Sequence, residues 1–181
     1  STQLVRLLEM NNSTKNLKHV LLGGSTIPNS LLRRAIEAGL PIYKSYGSTE
    51  MSSQITTTKR LESMSLSTGP STGTWACPSV PDLVEKICTL NSITSSGKLL
   101  NHRELKIEEN EILVKGKTLF KGYIENSKIN PARDKDGWFY TGDLGELDSN
   151  NNLTVTGRKD NMFISGGENI QPEAIEDALL K

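Results

Sequence analysis

Cysteine is nearly missing from this chain. Two residues, Cys77 and Cys88, occur among 181. Two thiols cannot build a disulfide framework, and neither stands in a Cys/His cluster with zinc-ligand spacing, so a disulfide scaffold and a zinc finger are both excluded. Free thiols in a cytoplasmic protein are the expectation. An excess of charge of one sign is missing too: 21 Lys and Arg balance 21 Asp and Glu, without a basic stripe or polybasic tail. That argues against nucleic acid and against an anionic membrane surface as partners. No apolar run approaches the roughly 18 residues of a membrane span. The opening STQLVRLLEMNNSTK lacks the charged start and long apolar stretch of a signal peptide. Oligomeric state leaves no signature, and a homo-oligomer stays open. The chain opens without methionine and stops inside an expected helix at Ala178-Leu179-Leu180-Lys181, which reads as a piece of a longer protein.

What is present has layered α/β character at first. Leu4, Leu7 and Leu8 share one helical face over residues 2–10. LKHVLLGG (17–24) predicts a short buried strand stopped by two glycines. Pro28 opens a helix through about Ala38, with Leu31, Leu32, Ala35 and Ile36 inward and Gly39 as its stop. LPIYKSYG is the next strand. Strand, helix, strand at this spacing predicts parallel strands over residues 16–56.

After residue 56 the pattern turns to short strand-like runs, RELKI, EILVKG, LFKGYI, WFYTGDLGEL and LTVTGR, separated by polar turns. They predict an antiparallel region, as a small barrel or a distorted sheet. SGGENIQPEAIEDALL then turns on glycines and enters a helix near Pro172. The expected fold class is therefore α/β with an antiparallel β subdomain. The expected division is 1–56, 57–159 and 160–181. Within the second part, residues 69–94 look like additional material, because GTWACPSVPDLVEKI (73–87) weakly echoes SGKLLNHRELKI (96–107). A genuine insertion loop and an anomaly of this sequence both stay open. Its Ser, Thr, Pro and Gly offer little to bury, so a surface excursion with reactive Cys77 and Cys88 is expected.

Three clusters carry chemistry: GGSTIP (23–28), YGSTE (46–50) and YTGDLGELD followed by TVTGRKDNMFISGGENIQPEAIE (140–176). Taken one at a time, Gly-Gly after a strand is usually a turn, Ser-Thr-Glu often caps a helix and Thr-Gly-Asp is often a loop. In this order, over nearly the whole chain except about 69–94, they resemble the adenylate-forming superfamily of acyl- and aryl-CoA synthetases, luciferases and nonribosomal adenylation domains. The stretches LLGGSTIPNSLLRRAIEAGLPIYKSYGSTEMSSQITT and GRKDNMFISGGENIQPEAIE are most similar to its o-succinylbenzoate–CoA ligases of menaquinone biosynthesis.

The resemblance implies the C-terminal part of a large N-terminal domain plus the start of a small C-terminal one. It also implies an ATP-dependent carboxylic acid–CoA ligase using ATP, Mg²⁺ and coenzyme A, with an acyl-adenylate and then a thioester. Such chemistry must hold a nucleoside, neutralise triphosphate and exclude water. By the same resemblance, Gly24 and Ser25 line the adenine and acyl pocket, beside Gly47, and Tyr46 stacks on adenine. Thr49 offers its hydroxyl to the α-phosphate, Glu50 is a hard oxygen ligand for Mg²⁺, and Asp143 accepts from both ribose hydroxyls with Arg158 opposite. Asp160 would be the hinge between two poses of the C-terminal part, and Gly166 and Gly167 would leave room for the pantetheine arm.

Ser48 departs from the family, which carries a large residue there, and enlarges the acyl pocket in this reading. Ser53 and Gln54 are candidates for a second carboxylate of a dicarboxylic acid, with solvated strand-end residues as the plain alternative. The family's phosphate loop has no counterpart in residues 1–20, and its adenylation lysine belongs beyond residue 181. This piece alone is therefore expected to perform neither half-reaction. A ligase for another acyl or aryl acid, a non-catalytic nucleotide-binding module and a plain β-rich interaction domain are the competing readings.

Overall fold

The first half of the chain is organised by one amphipathic helix. The computed structural model describes residues 2–9, 16–61, 93–165 and 168–170, together with 172, 175 and 179. Pro28 supplies the extended entry (φ −54°, ψ 134°) to helix α2 (Asn29–Glu37), and its carbonyl accepts from the amides of Leu31 and Leu32. The stripe Leu31, Leu32, Ala35 and Ile36 is buried, as helical spacing dictates. Gly39 ends the helix at φ 75°, a left-handed conformation that costs glycine little, and the Leu40 amide returns to the Ala35 carbonyl. Helix α1 (Thr2–Glu9) adds Leu4 to the same core, with Ile42, Leu61 and Ile93.

That core lies against strands β1 (Val20–Leu22) and β2 (Ile42–Ser48), which pair in parallel with Val20 opposite Ile42. The strand expected over 17–24 is shorter and less buried than its apolar run suggests. Val20 and Leu22 pack on the core, whereas Leu21 is 51% exposed. Alternate side chains of a strand face opposite ways, and β1 stands at one end of the sheet order among the described residues.

The parallel arrangement stops at β2. Strand β3 (Ser53–Thr57) folds back antiparallel on it, so residues 16–56 are not all parallel as predicted. The turn between them is tight enough to force Ser52 and Ser53 to positive φ, 59° and 140°. From β3 the sheet continues through β4 (Gly97–Leu99), β5 (Arg103–Glu108), β6 (Glu111–Gly116), β9 (Phe139–Leu147) and β10 (Asn152–Arg158). The spatial order is β1-β2-β3-β4-β10-β9-β6-β5, eight strands in all. Among the described residues that order is open, ending at β1 and β5, and bulges distort it at Tyr46/Gly47, Val155/Gly157 and Glu111/Leu113. The pairs Thr56–Leu99 and Thr57–Lys98 carry the ladder straight across position 56/57. A second core of Met51, Ile55, Ile112, Val114, Phe139 and Leu153 covers this antiparallel part.

The run LFKGYI does not form one strand. Strand β7 (Tyr123–Glu125) begins at Tyr123 and pairs with β8 (Lys128–Asn130), because the Phe120 amide donates instead to the Glu50 carbonyl at 2.7 Å. Beyond β10, a 3₁₀ turn (Lys159–Asn161) leads to the hairpin of β11 (Phe163–Ser165) and β12 (Glu168–Ile170). Gly166 and Gly167 lie outside the described residues, and of the expected helix Pro172, Ile175 and Leu179 are helical.

Most of the expected excursion 69–94, with Cys77 and Cys88, lies outside the described residues. At its end Thr94 is exposed but Ile93 is not. Ile93 is buried in the first core, and the Lys44 ammonium donates to its carbonyl at 2.6 Å.

Candidate functional site

Five segments meet around a cavity of about 570 Å³, a size suited to a small organic ligand. They are the loop after β1 with Gly23, Gly24 and Ser25, the outer half of β2 from Lys44 to Gly47, Thr94 and Ser96 before β4, Asp143 of β9, and Thr154 to Arg158 of β10. The cavity therefore opens beyond the carboxyl ends of the parallel strands, where open α/β sheets present their loops.

Its charged centre is Asp143. Strand pairing sets Arg158 directly opposite, and Arg158 Nη1 lies 3.2 Å from Asp143 Oδ1. The Tyr46 hydroxyl reaches across from β2 and donates to Asp143 Oδ2 at 2.7 Å. Asp143 is largely buried while Arg158 is half exposed, so the carboxylate is fixed and the guanidinium faces the opening. The Asp143 amide donates to Thr141 Oγ1 at 3.1 Å, and that hydroxyl donates to the Ile112 carbonyl at 2.7 Å. Burial, then the hydrogen bond to Asp143 and the charge of Asp143, push the Tyr46 phenol far above its ordinary pKa of 10.0. Tyr46 is thus a permanent donor at neutral pH.

The two motif glycines serve different needs. Gly24 adopts φ 84° with open space where a Cβ would stand, as a turn bordering a cavity requires. Gly47 faces β3: a Cβ there would lie 2.7 Å from Gln54 Cα and closer still to the Ser53 carbonyl oxygen. Its smallness serves the bulged pairing of β2 with β3, although Gly47 also borders the cavity.

Of the residues singled out by the motifs, Gly24, Ser25, Tyr46, Gly47, Asp143 and Arg158 come together around the cavity. Ser48, Thr49, Glu50, Ser53 and Gln54 are not among its lining residues: Thr49 and Glu50 lie in the adjoining turn, Ser48 ends β2, and Ser53 and Gln54 begin β3. Thr49 and Ser53 are exposed there, and Gln54 is half-buried. The Tyr123 hydroxyl donates to Glu50 Oε1 at 2.9 Å. Partial burial alone would raise the Glu50 carboxyl. Hydrogen bonds from its own amide, Tyr123 and Ser48 outweigh that and hold it below the usual carboxylate range. Asp160 sits in the 3₁₀ turn, its carboxylate exposed and 3.8 Å from Arg158 Nη2.

Sequence reasoning passed over Lys44, Thr154, Val155 and Thr156, which line the cavity, and Tyr123 and Glu111, which hold its neighbours. The residues of β10 carried one usable signal, since they directly precede Arg158. Lys44, Tyr123 and Glu111 carried none. Among the described residues no group of three or more His, Cys, Asp or Glu gathers as a metal centre.

The sequence profile of the AMP-binding enzyme family matches residues 2–124. The chain is similar to the 2-succinylbenzoate–CoA ligase of Listeria monocytogenes serotype 4b, with 35% identity over 182 residues, covering 99% of this chain and 33% of that protein. It is similarly related to the enzyme of that name from Bacillus subtilis strain 168, with 35% identity over 190 residues and 99% and 34% coverage. Among solved structures, it resembles o-succinylbenzoate CoA synthetase from Bacillus subtilis in complex with the acyl-adenylate intermediate OSB-AMP, with TM-score 0.74, 34% identity, and coverage of 99% of this chain and 34% of that one. The same enzyme in complex with ATP and magnesium ion gives TM-score 0.74 and 34% identity over 100% of this chain and 35% of that one. The chain spans about a third of the length of the curated relatives it matches.

Proposed function

The chain belongs to the AMP-binding enzyme family, and from that premise we propose that it is the nucleotide- and acyl-binding part of an ATP-dependent carboxylic acid–CoA ligase of the cytoplasm, acting on o-succinylbenzoate. In the first half-reaction a carboxylate oxygen attacks the α-phosphorus of ATP and pyrophosphate leaves. In the second, the CoA thiol attacks the acyl carbonyl, loses its proton, and expels AMP.

The observation that carries this reading is the Asp143 carboxylate, held by Tyr46 and Arg158 at the wall of a ligand-sized cavity. A fixed carboxylate acceptor suits the paired hydroxyls of a ribose, because it accepts two hydrogen bonds without reorganising. The Tyr46 ring offers a face to adenine, and Gly24 and Ser25 offer close backbone approach. Similarity to ligases solved with OSB-AMP and with ATP and magnesium supports the choice of acid and nucleotide.

Glu50 fits a role as magnesium ligand. Its carboxyl is held ionised, and since no further carboxylates gather around it among the described residues, it would supply one hard oxygen while phosphate and water supply others. The metal, when bound, neutralises charge developing on the phosphates. Thr49, exposed beside Glu50, offers its hydroxyl to the α-phosphate, and Ser48, Ser53 and Gln54 are assigned to the acid. Asp160, where the chain leaves β10, is assigned as hinge, with Gly166 and Gly167 beside the pantetheine arm of CoA in the second pose.

The test is Asp143→Ala in the full-length protein that contains this chain, assayed by o-succinylbenzoate-dependent exchange of pyrophosphate into ATP. Loss of a desolvated, charge-assisted pair should reduce kcat/KM for ATP by about 2–4 kcal/mol. Unchanged kinetics would remove Asp143 from the nucleotide site, and exchange driven equally by unrelated aryl acids would remove the assignment of the acid.

A further inference from the structure

Glu111 is a carboxylate only 7% exposed, at the start of β6 and outside the cavity lining. Burying a charge is costly unless it is paired, and both of its oxygens are engaged. Oε1 accepts the Gly142 amide at 3.1 Å, and Oε2 lies 2.9 Å from the Lys159 ammonium. Gly142 immediately precedes Asp143, and Lys159 immediately follows Arg158. The bulge between Glu111 and Leu113 breaks the regular pairing of β6 with β9 at this place.

We propose that Glu111 is a positioning residue for the ribose-binding pair: one buried carboxylate clamps the bulged Gly142 segment of β9 and the Lys159 ammonium, and so sets the separation of Asp143 from Arg158. This rests on the reading of Asp143 and Arg158 as nucleotide ligands.

Gly142 lies within β9 where its pairing with β6 is broken by the bulge, and stands at φ 73°. A Cβ added there would meet Arg158 Nη2 at 3.3 Å, so the bare glycine leaves the guanidinium its room beside Asp143. On the other side the Lys159 ammonium is held protonated, first by its hydrogen bond to Glu111 and then by that carboxylate's charge. Removing Glu111 frees the Gly142 segment of β9 and the residue after Arg158 together. Removing Lys159 frees only the second and leaves a buried carboxylate without its counter-charge.

The readout that separates positioning from mere stability is discrimination at the ribose. Binding of ATP and of 2′,3′-dideoxyATP is measured by calorimetry on the full-length protein, with thermal unfolding as a check on folding. The wild type should prefer ATP, and Asp143→Ala should erase the preference. Glu111→Ala should lower it about tenfold, the scale of one charge-assisted hydrogen bond, with affinity for the dideoxy nucleotide little changed. Glu111→Gln, which keeps an acceptor for Gly142, and Lys159→Met should each lower it by less; these two decide the matter if Glu111→Ala does not fold. Wild-type preference in the Glu111 and Lys159 variants, with the preference lost in Asp143→Ala, overturns the positioning role and leaves the nucleotide reading intact. Preference retained in Asp143→Ala, or absent from the wild type, overturns both.

Discussion

The Tyr46 hydroxyl donates a 2.7 Å hydrogen bond to Asp143 Oδ2, joining residues 97 positions apart. In the proposed reading, the ring offered to adenine is thereby tied to the carboxylate offered to ribose. Arg158 sits on the other carboxylate oxygen, and the phenol keeps its proton because burial and Asp143 both oppose ionisation.

Tyr46→Phe tests that coupling, since it keeps the ring and removes the donor. Asp143 would lose one partner, at a cost of about 1–3 kcal/mol in unfolding free energy. The pH dependence has a definite sign. The folded state holds the phenolic proton more tightly than the unfolded chain, so its stabilisation is complete below pH 10.0 and erodes as pH rises above that value. Wild-type stability, measured by denaturant unfolding, should therefore fall more steeply than that of Tyr46→Phe in the alkaline range. Parallel curves would mean that the phenol is not held protonated by the fold.

Tyr123 should govern the state of Glu50. The Glu50 carboxyl is held below its ordinary range although burial alone would raise it, and one of the opposing hydrogen bonds comes from Tyr123. Tyr123→Phe should move the Glu50 titration upward, read from ¹³C shifts of labelled glutamate carboxyls between acid and neutral pH. The stability linked to this group is present above pH 4.5 and lost as pH falls through the depressed folded value, so the variant should lose it at higher pH than the wild type. An unmoved Glu50 titration would separate the two residues.

The two motif glycines should both be destabilised by a methyl group, for different reasons and by unequal amounts. Gly24→Ala meets empty space and incurs only the left-handed conformational penalty, about 1–2 kcal/mol. Gly47→Ala drives a Cβ into the backbone of Ser53 and Gln54, so it should cost more than that and disturb the β2–β3 pairing. Thermal unfolding of both variants checks the order, and equal destabilisation would contradict it.

Asp160→Pro addresses the hinge. Proline fixes φ near −65° and removes a backbone donor, so a residue that must change conformation between half-reactions cannot do so. In the full-length protein the variant should keep pyrophosphate exchange and lose most thioester formation. Equal loss of both would indicate misfolding, and retention of both would remove the hinge from residue 160.

What the sequence determined by itself was what repeats locally or must be chemically small or charged. The stripe Leu31, Leu32, Ala35, Ile36 announced α2, Gly39 announced its end, and the alternating runs announced β5, β6, β9 and β10. Of the residues around the cavity, Gly24, Ser25, Tyr46, Gly47, Asp143 and Arg158 stood in motifs that could be read along the chain, whereas Lys44, Thr94 and Ser96 did not. The tertiary structure decided everything that depends on which strand lies beside which. It folded β3 back antiparallel and continued the sheet through Thr56 and Leu99, exposed Leu21, and buried Ile93 under the first core. It also brought Tyr123 to Glu50 across 73 positions and Glu111 to Gly142 and Lys159 across 31 and 48. Such contacts are set by strand register and by single-residue bulges, which shift a side chain from one face to the other without leaving any period in the sequence.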